Sequence, residues 1–254
     1  MGLYDNKVVV VTGASSGIGE HMARRFYEEG AFVAVCSRSQ ERIERAVSAY
    51  ADSHDPRIMA VAADMTDRRA VTAFMAAVVE RFGRIDILIN NAGLSRPKST
   101  VEVLPEDFDV TVQTKFQGYF FMSQAAARDM LRRGEGGTIV QIGSVQSTTV
   151  IPGQAVYASV NAGIVQMTRS LAREWGKAGI RVNCVAPGSI HTPENEARYA
   201  DPAVEKAMCE KIPLGYRGYV EQIADAAFFL TGERSAYITG QTLYVDGGLS
   251  LCRG

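Results

Sequence analysis

Phosphate binding is the first chemistry that the residues suggest. Thr12-Gly13-Ala14-Ser15-Ser16-Gly17-Ile18-Gly19 follows an apolar run and opens a helical pattern. Each glycine has a physical use there. Gly13 permits a sharp turn, Gly17 lets backbone approach a pyrophosphate, and Gly19 lets the helix pack closely on the strand. The spacing is Gly-x-x-x-Gly-x-Gly rather than Gly-x-Gly-x-x-Gly, so alone it also fits an ordinary glycine-rich turn.

The elements that must carry this turn repeat along the chain. Lys7 to Thr12 reads as a strand apolar on both faces, and a helix follows from Gly17 to Glu29. Further strands are expected at 31–36, 57–63, 85–90, 138–142, 181–185 and 241–245. Helices are expected at 40–50, at 67–82 with Thr66 as N-cap, at 105–133 and at 153–177. Seven strands alternating with helices predict an α/β fold: a Rossmann-like, doubly wound parallel sheet with helices on both faces. No linker, repeat or low-complexity tract divides residues 1–254, so one domain is expected.

Composition excludes several classes of function. Lys+Arg is 27 against Asp+Glu 28, a net charge of -1 over 254 residues. That balance gives no overall electrostatic reason to bind nucleic acid or an anionic membrane. Cys36, Cys184, Cys209 and Cys252 lie far apart, which argues against a disulfide scaffold or a cysteine zinc site. The three histidines, His21, His54 and His191, are equally scattered, so no metal is expected. No run approaches 18 apolar residues, and the first strand pattern starts at Lys7, so neither a membrane span nor a signal peptide is expected. The expectation is a soluble, reduced, cytoplasmic protein.

Four further segments join the glycine turn. They are Asn90-Asn91-Ala92-Gly93, Ser144 followed by Tyr157, Pro187-Gly188-Ser189-Ile190-His191-Thr192, and Ile238-Thr239-Gly240-Gln241 with Val245-Asp246-Gly247-Gly248. Together and in this order they resemble the short-chain dehydrogenase/reductase family over essentially the whole chain. The resemblance implies a nicotinamide dinucleotide bound by Gly13, Ser15, Ser16, Gly17, Ile18 and Gly19 in the turn and by Asn91, Ala92 and Gly93 after the fourth strand. It implies Asp64 and Met65 at the adenine edge, although Asp64 alone also reads as a solvated strand-end carboxylate. Pro187, Gly188, Ile190 and Thr192 would lie along the nicotinamide, with Ile190 and Thr192 holding its carboxamide. The implied reaction is hydride transfer at a carbonyl or carbinol carbon, with Tyr157 as acid/base and Ser144 donating to the substrate oxygen.

The second strand ends in Ser37-Arg38, where an NAD-selecting protein usually places an acid for the ribose 2′-hydroxyl. Arg38 suits a 2′-phosphate, and Ser37 can hydrogen-bond it, so NADP(H) is expected ahead of NAD(H). As a surface arginine opening a charged helix, Arg38 would leave NAD(H) open.

Two positions depart from the family. Its Tyr-x-x-x-Lys reads Tyr157-Ala158-Ser159-Val160-Asn161 here, and its Asn-x-x-Gly reads Lys115-Phe116-Gln117-Gly118. The family set Asn, Ser, Tyr, Lys thus becomes Lys115, Ser144, Tyr157, Asn161. Asn161 shares a helix face with Tyr157 and can reach for the nicotinamide ribose, but it carries no charge. Lowering a tyrosine from about 10 to about 7 takes roughly 4 kcal/mol. One positive charge ~4 Å away at an effective dielectric near 20 supplies about that amount. Two readings stand: Lys115 reaches the place vacated at 161, or it is a helix-surface lysine and the enzyme is weakened or dead.

Residues 189–216 would cover the substrate, and their polar side chains, with Arg96, Lys98, Gln146 and Gln154, favour a polar or anionic small molecule. Helices 105–133 and 153–177 are apolar on more than one face, which suits a homo-oligomer, a dimer or tetramer. The expected function is an NAD(P)(H)-dependent alcohol dehydrogenase or ketoreductase. The rival is a catalytically silent dinucleotide-binding sensor or scaffold. A lyase that has abandoned the nucleotide fits poorly with the intact glycine turn.

Overall fold

The valine run Val8–Thr12 (β1) is buried at all five positions, as a strand inside a parallel sheet with both faces covered must be. In the computed structural model, which describes residues 2–52 and 54–251, the chain continues through α1 (Gly17–Glu28), β2 (Phe32–Ser37), α2 (Gln40–Ser48), β3 (Ile58–Ala62), α3 (Arg68–Phe82) and β4 (Ile87–Asn90). Then come α4 (Pro105–Thr111), α5 (Gly118–Arg133), β5 (Gly137–Ile142), α6 (Ala155–Trp175), β6 (Ile180–Pro187) and β7 (Ile190–His191). The last elements are α7 (Pro193–Glu196), α8 (Pro202–Cys209), β8 (Gly218–Tyr219), α9 (Val220–Thr231) and β9 (Thr242–Val245). Cys252 lies outside the described residues.

Seven strands form one parallel sheet in the order β3-β2-β1-β4-β5-β6-β9. Val9 pairs with Val33 of β2 on one side and Ile87 of β4 on the other. Helices α1, α2 and α9 cover one face through Met22, Phe26, Ile43, Ile223 and Leu230. Helices α3, α5 and α6 cover the other through Phe74, Val78, Met122, Ile164 and Leu171. In α1 the buried positions Gly19, Met22, Ala23 and Phe26 fall at the spacing of one helical face.

The structure departs from the sequence expectations in three places. The helix expected over 105–133 is two α-helices joined by a π-helical stretch, Val112–Gln117, within which Thr114 and Lys115 are buried. A π turn holds one residue more than an α turn and so displaces side chains from the α-helical face pattern. The N-cap of α3 is Asp67, whose side chain accepts from Arg69 N at 2.8 Å, while Thr66 donates to Asp64 instead. The strand pair β7–β8 and helix α9 were not anticipated.

The segment after β4 is tied down from both sides. Asp107, in the first turn of α4, accepts from Arg96 Nη1 at 2.8 Å and Lys98 Nζ at 2.6 Å. Lys98 N donates to Gly153 O at 3.0 Å, and Ser95 Oγ to Gln154 Oε1 at 2.6 Å. The Lys98 ammonium, and after it the Arg96 guanidinium, hold the Asp107 carboxyl down at about 2.

Phe26 is 1% exposed and meets the Tyr4 ring edge-on at 4.9 Å. Phe26→Ala is expected to cost about 3–5 kcal/mol of stability, read as a lower urea midpoint with an unchanged slope. The depressed Asp107 carboxyl gives a pH signature. Its stabilising contribution is complete above about pH 4, where an unfolded aspartate is ionised, and is lost as the pH falls towards 2. Asp107→Asn should therefore lower the melting temperature at pH 6 and converge with the parent near pH 2. Parallel curves over that range would remove the ion pairs from this role.

Candidate active site

The carboxyl ends of β1 and β4 lie side by side, but their chains leave towards opposite faces, to α1 and to α4. This is where a crevice opens in a doubly wound sheet. The Thr12 hydroxyl closes its floor by accepting from Asn91 N at 2.9 Å and Ala92 N at 3.0 Å. Asn91 Nδ2 in turn donates to Thr12 O and Gly13 O, both at 3.0 Å. Gly13, at φ 65°, has no room for a side chain, since a Cβ would stand 2.7 Å from Ala92 Cα. Gly19 is buried, and a Cβ there would meet Gly13 O at 2.4 Å, so its use is close packing.

Above this floor lies a cleft of about 780 Å³. Gly13, Ser15, Ser16 and Ile18 line it from the turn, Asn91, Ala92 and Gly93 from the end of β4, and Pro187, Gly188, Ile190 and Thr192 from the end of β6 onwards. Ser37, Arg38 and Met65 line it from the ends of β2 and β3, and Lys115, Ser144 and Tyr157 line it from the β5 side. Most of the expected residues are therefore brought to one surface.

Lys115 is not a surface lysine. It is 3% exposed, and its ammonium lies 5.2 Å from the Tyr157 ring centre and 5.7 Å from that of Tyr119. It donates to Gly143 O at 3.4 Å, and no carboxylate is paired with it among the described residues. The faces of two aromatic rings are the kind of surface that accepts a cation. The charge is felt nearby: burial pushes the Cys184 thiol up to about 11, with Lys115 pulling the other way. Burial also pushes the Tyr119 phenol well above its usual range, and its hydroxyl bonds Ile142 O at 3.1 Å. The Tyr119 hydroxyl is thus committed to a backbone carbonyl. Ser144 begins the turn before Tyr157, and its Oγ accepts from Gln146 N at 3.2 Å, which orients the hydroxyl.

Several of the expected residues do not line the cleft. Asn161 is fully buried and does not line the cleft; its Nδ2 donates to Tyr157 O at 2.8 Å, one turn back in α6, and its Oδ1 has no partner. An amide is too short to leave the helix as a lysine would, so it ties itself to the backbone. Asp64 is taken up by its own turn, accepting from Thr66 N and Thr66 Oγ1, both at 2.9 Å, while its neighbours Ala63 and Met65 line the cleft. Gly17 also stays off the lining, beneath a carboxylate from the covering segment.

That carboxylate is Glu194, which accepts from Ser16 Oγ and stands 3.4 Å from where a Gly17 Cβ would be. It sits at the amino end of α1, where the helix favours an anion. Arg217, 1% exposed, pins the covering segment through Glu205 at 2.9 Å, Ile190 O at 3.0 Å and the Tyr199 ring at 3.7 Å. His191 stacks on Tyr219 at 4.8 Å and does not line the cleft. Arg42, which the sequence placed in a charged surface helix, lines the cleft beside Arg38 and Ser39. It lies on the first turn of α2, just beyond the N-cap Ser39, and no signal in the sequence set it apart from the other charges of that helix. Both arginines are exposed, and no acid at the end of β2 lines this part of the cleft. The residues fit a dinucleotide: small ones lie where Cβ atoms would intrude, hydroxyls on the turn, guanidinia beyond the end of β2.

The chain matches the family described as enoyl-(acyl carrier protein) reductase over residues 13–250. It is 38% identical over 250 residues to a (2S)-[(R)-hydroxy(phenyl)methyl]succinyl-CoA dehydrogenase subunit of Thauera aromatica, covering 98% of each chain. It is 37% identical to a gluconate 5-dehydrogenase of Gluconobacter oxydans, covering 95% of this chain and 94% of that one. Among solved structures, a gluconate 5-dehydrogenase from Burkholderia cenocepacia in complex with NADP and tartrate superposes with a TM-score of 0.91 at 33% identity, over 98% of this chain and 97% of that one. With the parallel sheet, the glycine turn and the serine–tyrosine pair in place, the chain belongs to the short-chain dehydrogenase/reductase family of oxidoreductases.

Proposed function

We propose that this protein transfers hydride between NADP(H) and a carbonyl or hydroxyl carbon of a polar small molecule, with Lys115 supplying the cation that the family pattern places at position 161. The observation that carries this reading is the burial of the Lys115 ammonium against Tyr157. A buried charge without an ionic partner is costly unless an anion forms or arrives beside it. The Tyr157 phenolate is such an anion, and so is an oxyanion on the substrate.

When bound, the nicotinamide supplies or accepts the hydride. The protein's own residues handle the proton and the oxygen. The Tyr157 hydroxyl gives a proton to the substrate oxygen in reduction and takes it in oxidation. Ser144 donates a hydrogen bond to the same oxygen as charge builds there. Lys115 stabilises the phenolate side of the exchange, and Asn161 holds the backbone beneath Tyr157. Ser15 and Ser16 would bond the pyrophosphate after Glu194 swings away, and Arg38 with Arg42 would hold the 2′-phosphate.

Lys115→Met should lower turnover of an accepted substrate from a panel of hydroxy acids and polyols by 10²-fold or more. Tyr157→Phe should abolish it while leaving NADPH binding nearly intact. Lys115→Asn with Asn161→Lys should exceed either single variant, because the two positions act on one phenol and are non-additive. A kinetically silent Lys115→Met sinks the exchange. A wild-type protein that binds NADPH yet turns over nothing in the panel is the silent binder.

The cofactor preference has its own test. Removing both guanidinia, Arg38→Ala with Arg42→Ala, should weaken NADPH by about 2–4 kcal/mol, from charged hydrogen bonds worth about 1.5–3 kcal/mol each and partly exposed, with little change for NADH. Equal losses for both cofactors in a fluorescence titration would free the arginines from this role.

A further inference from the structure

We propose that Glu194 is a latch on the cofactor site: its carboxylate takes the seat of a dinucleotide's pyrophosphate, so the covering segment and the cofactor compete for the amino end of α1. The inference rests on the dinucleotide reading above and adds the regulation of that same site.

Ser16 is the N-cap of α1, a position where a serine ordinarily turns its oxygen back onto the helix. Here it makes no such bond, and its hydroxyl donates to Glu194 Oε1 instead. The second carboxylate oxygen, Oε2, lies 3.4 Å from where a Cβ on Gly17 would be. Both oxygens therefore face the start of α1. The first N–H groups of a helix have no partner within it, and their field favours an anion. A carboxylate answers that field as a phosphate does, with less charge. The charges of the cleft give the contact its meaning. Arg38, Arg42 and Lys115 line it as cations, and Glu194 is the single carboxylate among the described residues that line it. That one acid rests on the glycine turn.

The latch is held at its root and loose at its tip. Arg217 fixes the root, bonding Glu205 at 2.9 Å and Ile190 O at 3.0 Å. Asn195 Nδ2 ties α7 to Ile190 O at 3.2 Å. Helix α7 itself is four residues long and buries none of them, and Glu194 is exposed. Lifting the carboxylate off Ser16 thus breaks an exposed hydrogen bond and opens no packed core. A tie of that strength does not block the site. It lowers the apparent affinity for the cofactor by the fraction of molecules in which the latch is closed.

The test titrates the full-length protein with NADPH and with NADH by cofactor fluorescence and follows association by stopped flow. Glu194→Ala should tighten both cofactors by a common factor, about twofold to tenfold, because both carry the pyrophosphate. The gain should lie in the association rate with dissociation nearly kept, since the closed form only withholds the site. Glu194→Asp keeps the charge but shortens the reach to Ser16, so it should bind as Glu194→Ala does. In the cofactor-free protein, amide hydrogen exchange over residues 193–199 should be faster in Glu194→Ala than in the parent, and saturating NADPH should bring the two together. The latch is overturned if Glu194→Ala binds both cofactors as the parent does, if only NADPH tightens, or if the gain lies in dissociation alone. It is also overturned if Glu194→Asp matches the parent, which would make the carboxylate a source of field and not a competitor. Binding of neither cofactor to any of these proteins would overturn the dinucleotide reading and the latch with it, whereas equal binding to all of them overturns the latch alone.

Discussion

The site depends on one constraint: a charge removed from water must be answered by another. The Lys115 ammonium is buried between two aromatic rings with a single carbonyl within bonding distance. Ring faces and one carbonyl offset part of its lost hydration, but they do not neutralise it. The protein therefore carries a positive charge without an ionic partner among the described residues, next to the Tyr157 ring. The parallel sheet makes this arrangement affordable. Its covered strands and two helical layers provide the rigid frame, and the carboxyl edge, where β1 and β4 diverge, provides the opening.

Negative charge is then placed around that opening by position. Glu194 rests on the amino end of α1, in the field that would otherwise draw a phosphate. Asp107 pairs with both Arg96 and Lys98 in the segment after β4. Arg38 and Arg42 stand exposed in the cleft beyond the end of β2.

Local chemistry made much of this readable beforehand. The valine and isoleucine runs name the strands because a doubly covered sheet admits little else, and the glycine turn names its position because only small residues fit between β1 and β4. Ser144 and Tyr157 were found by their place among other motifs. What escaped were features set by tertiary context. Nothing in Val112–Gln117 distinguishes a π turn from an α turn, and nothing in a lysine's identity says whether packing will bury it. Arg42 reads as one charge among several on α2 until the cleft is seen beneath it. Asp64 and Asn161 were given roles towards a cofactor; in the structure Asp64 is bonded within its own turn, and Asn161 ties its Nδ2 to its own helix while its Oδ1 stays without a partner. Short polar side chains choose near partners before distant ones.

The π stretch has a consequence of a different kind. Its extra residue sets α4 and α5 out of phase by about 100°, the angle that one residue subtends in an α-helix. Most insertions and deletions are absorbed in loops, where the chain can change length without turning what lies on either side. Here a length change would behave as a rotation. Deleting one residue between 112 and 117 would let the helix rewind evenly and swing α4, with Asp107 and the cations it holds, around the axis of α5. The lysine would lose its place between the rings at the same stroke. Counting residues in this segment is thus as informative as identifying them: among related chains, one that shares its length keeps the geometry open to a lysine at this position, and one a residue shorter does not.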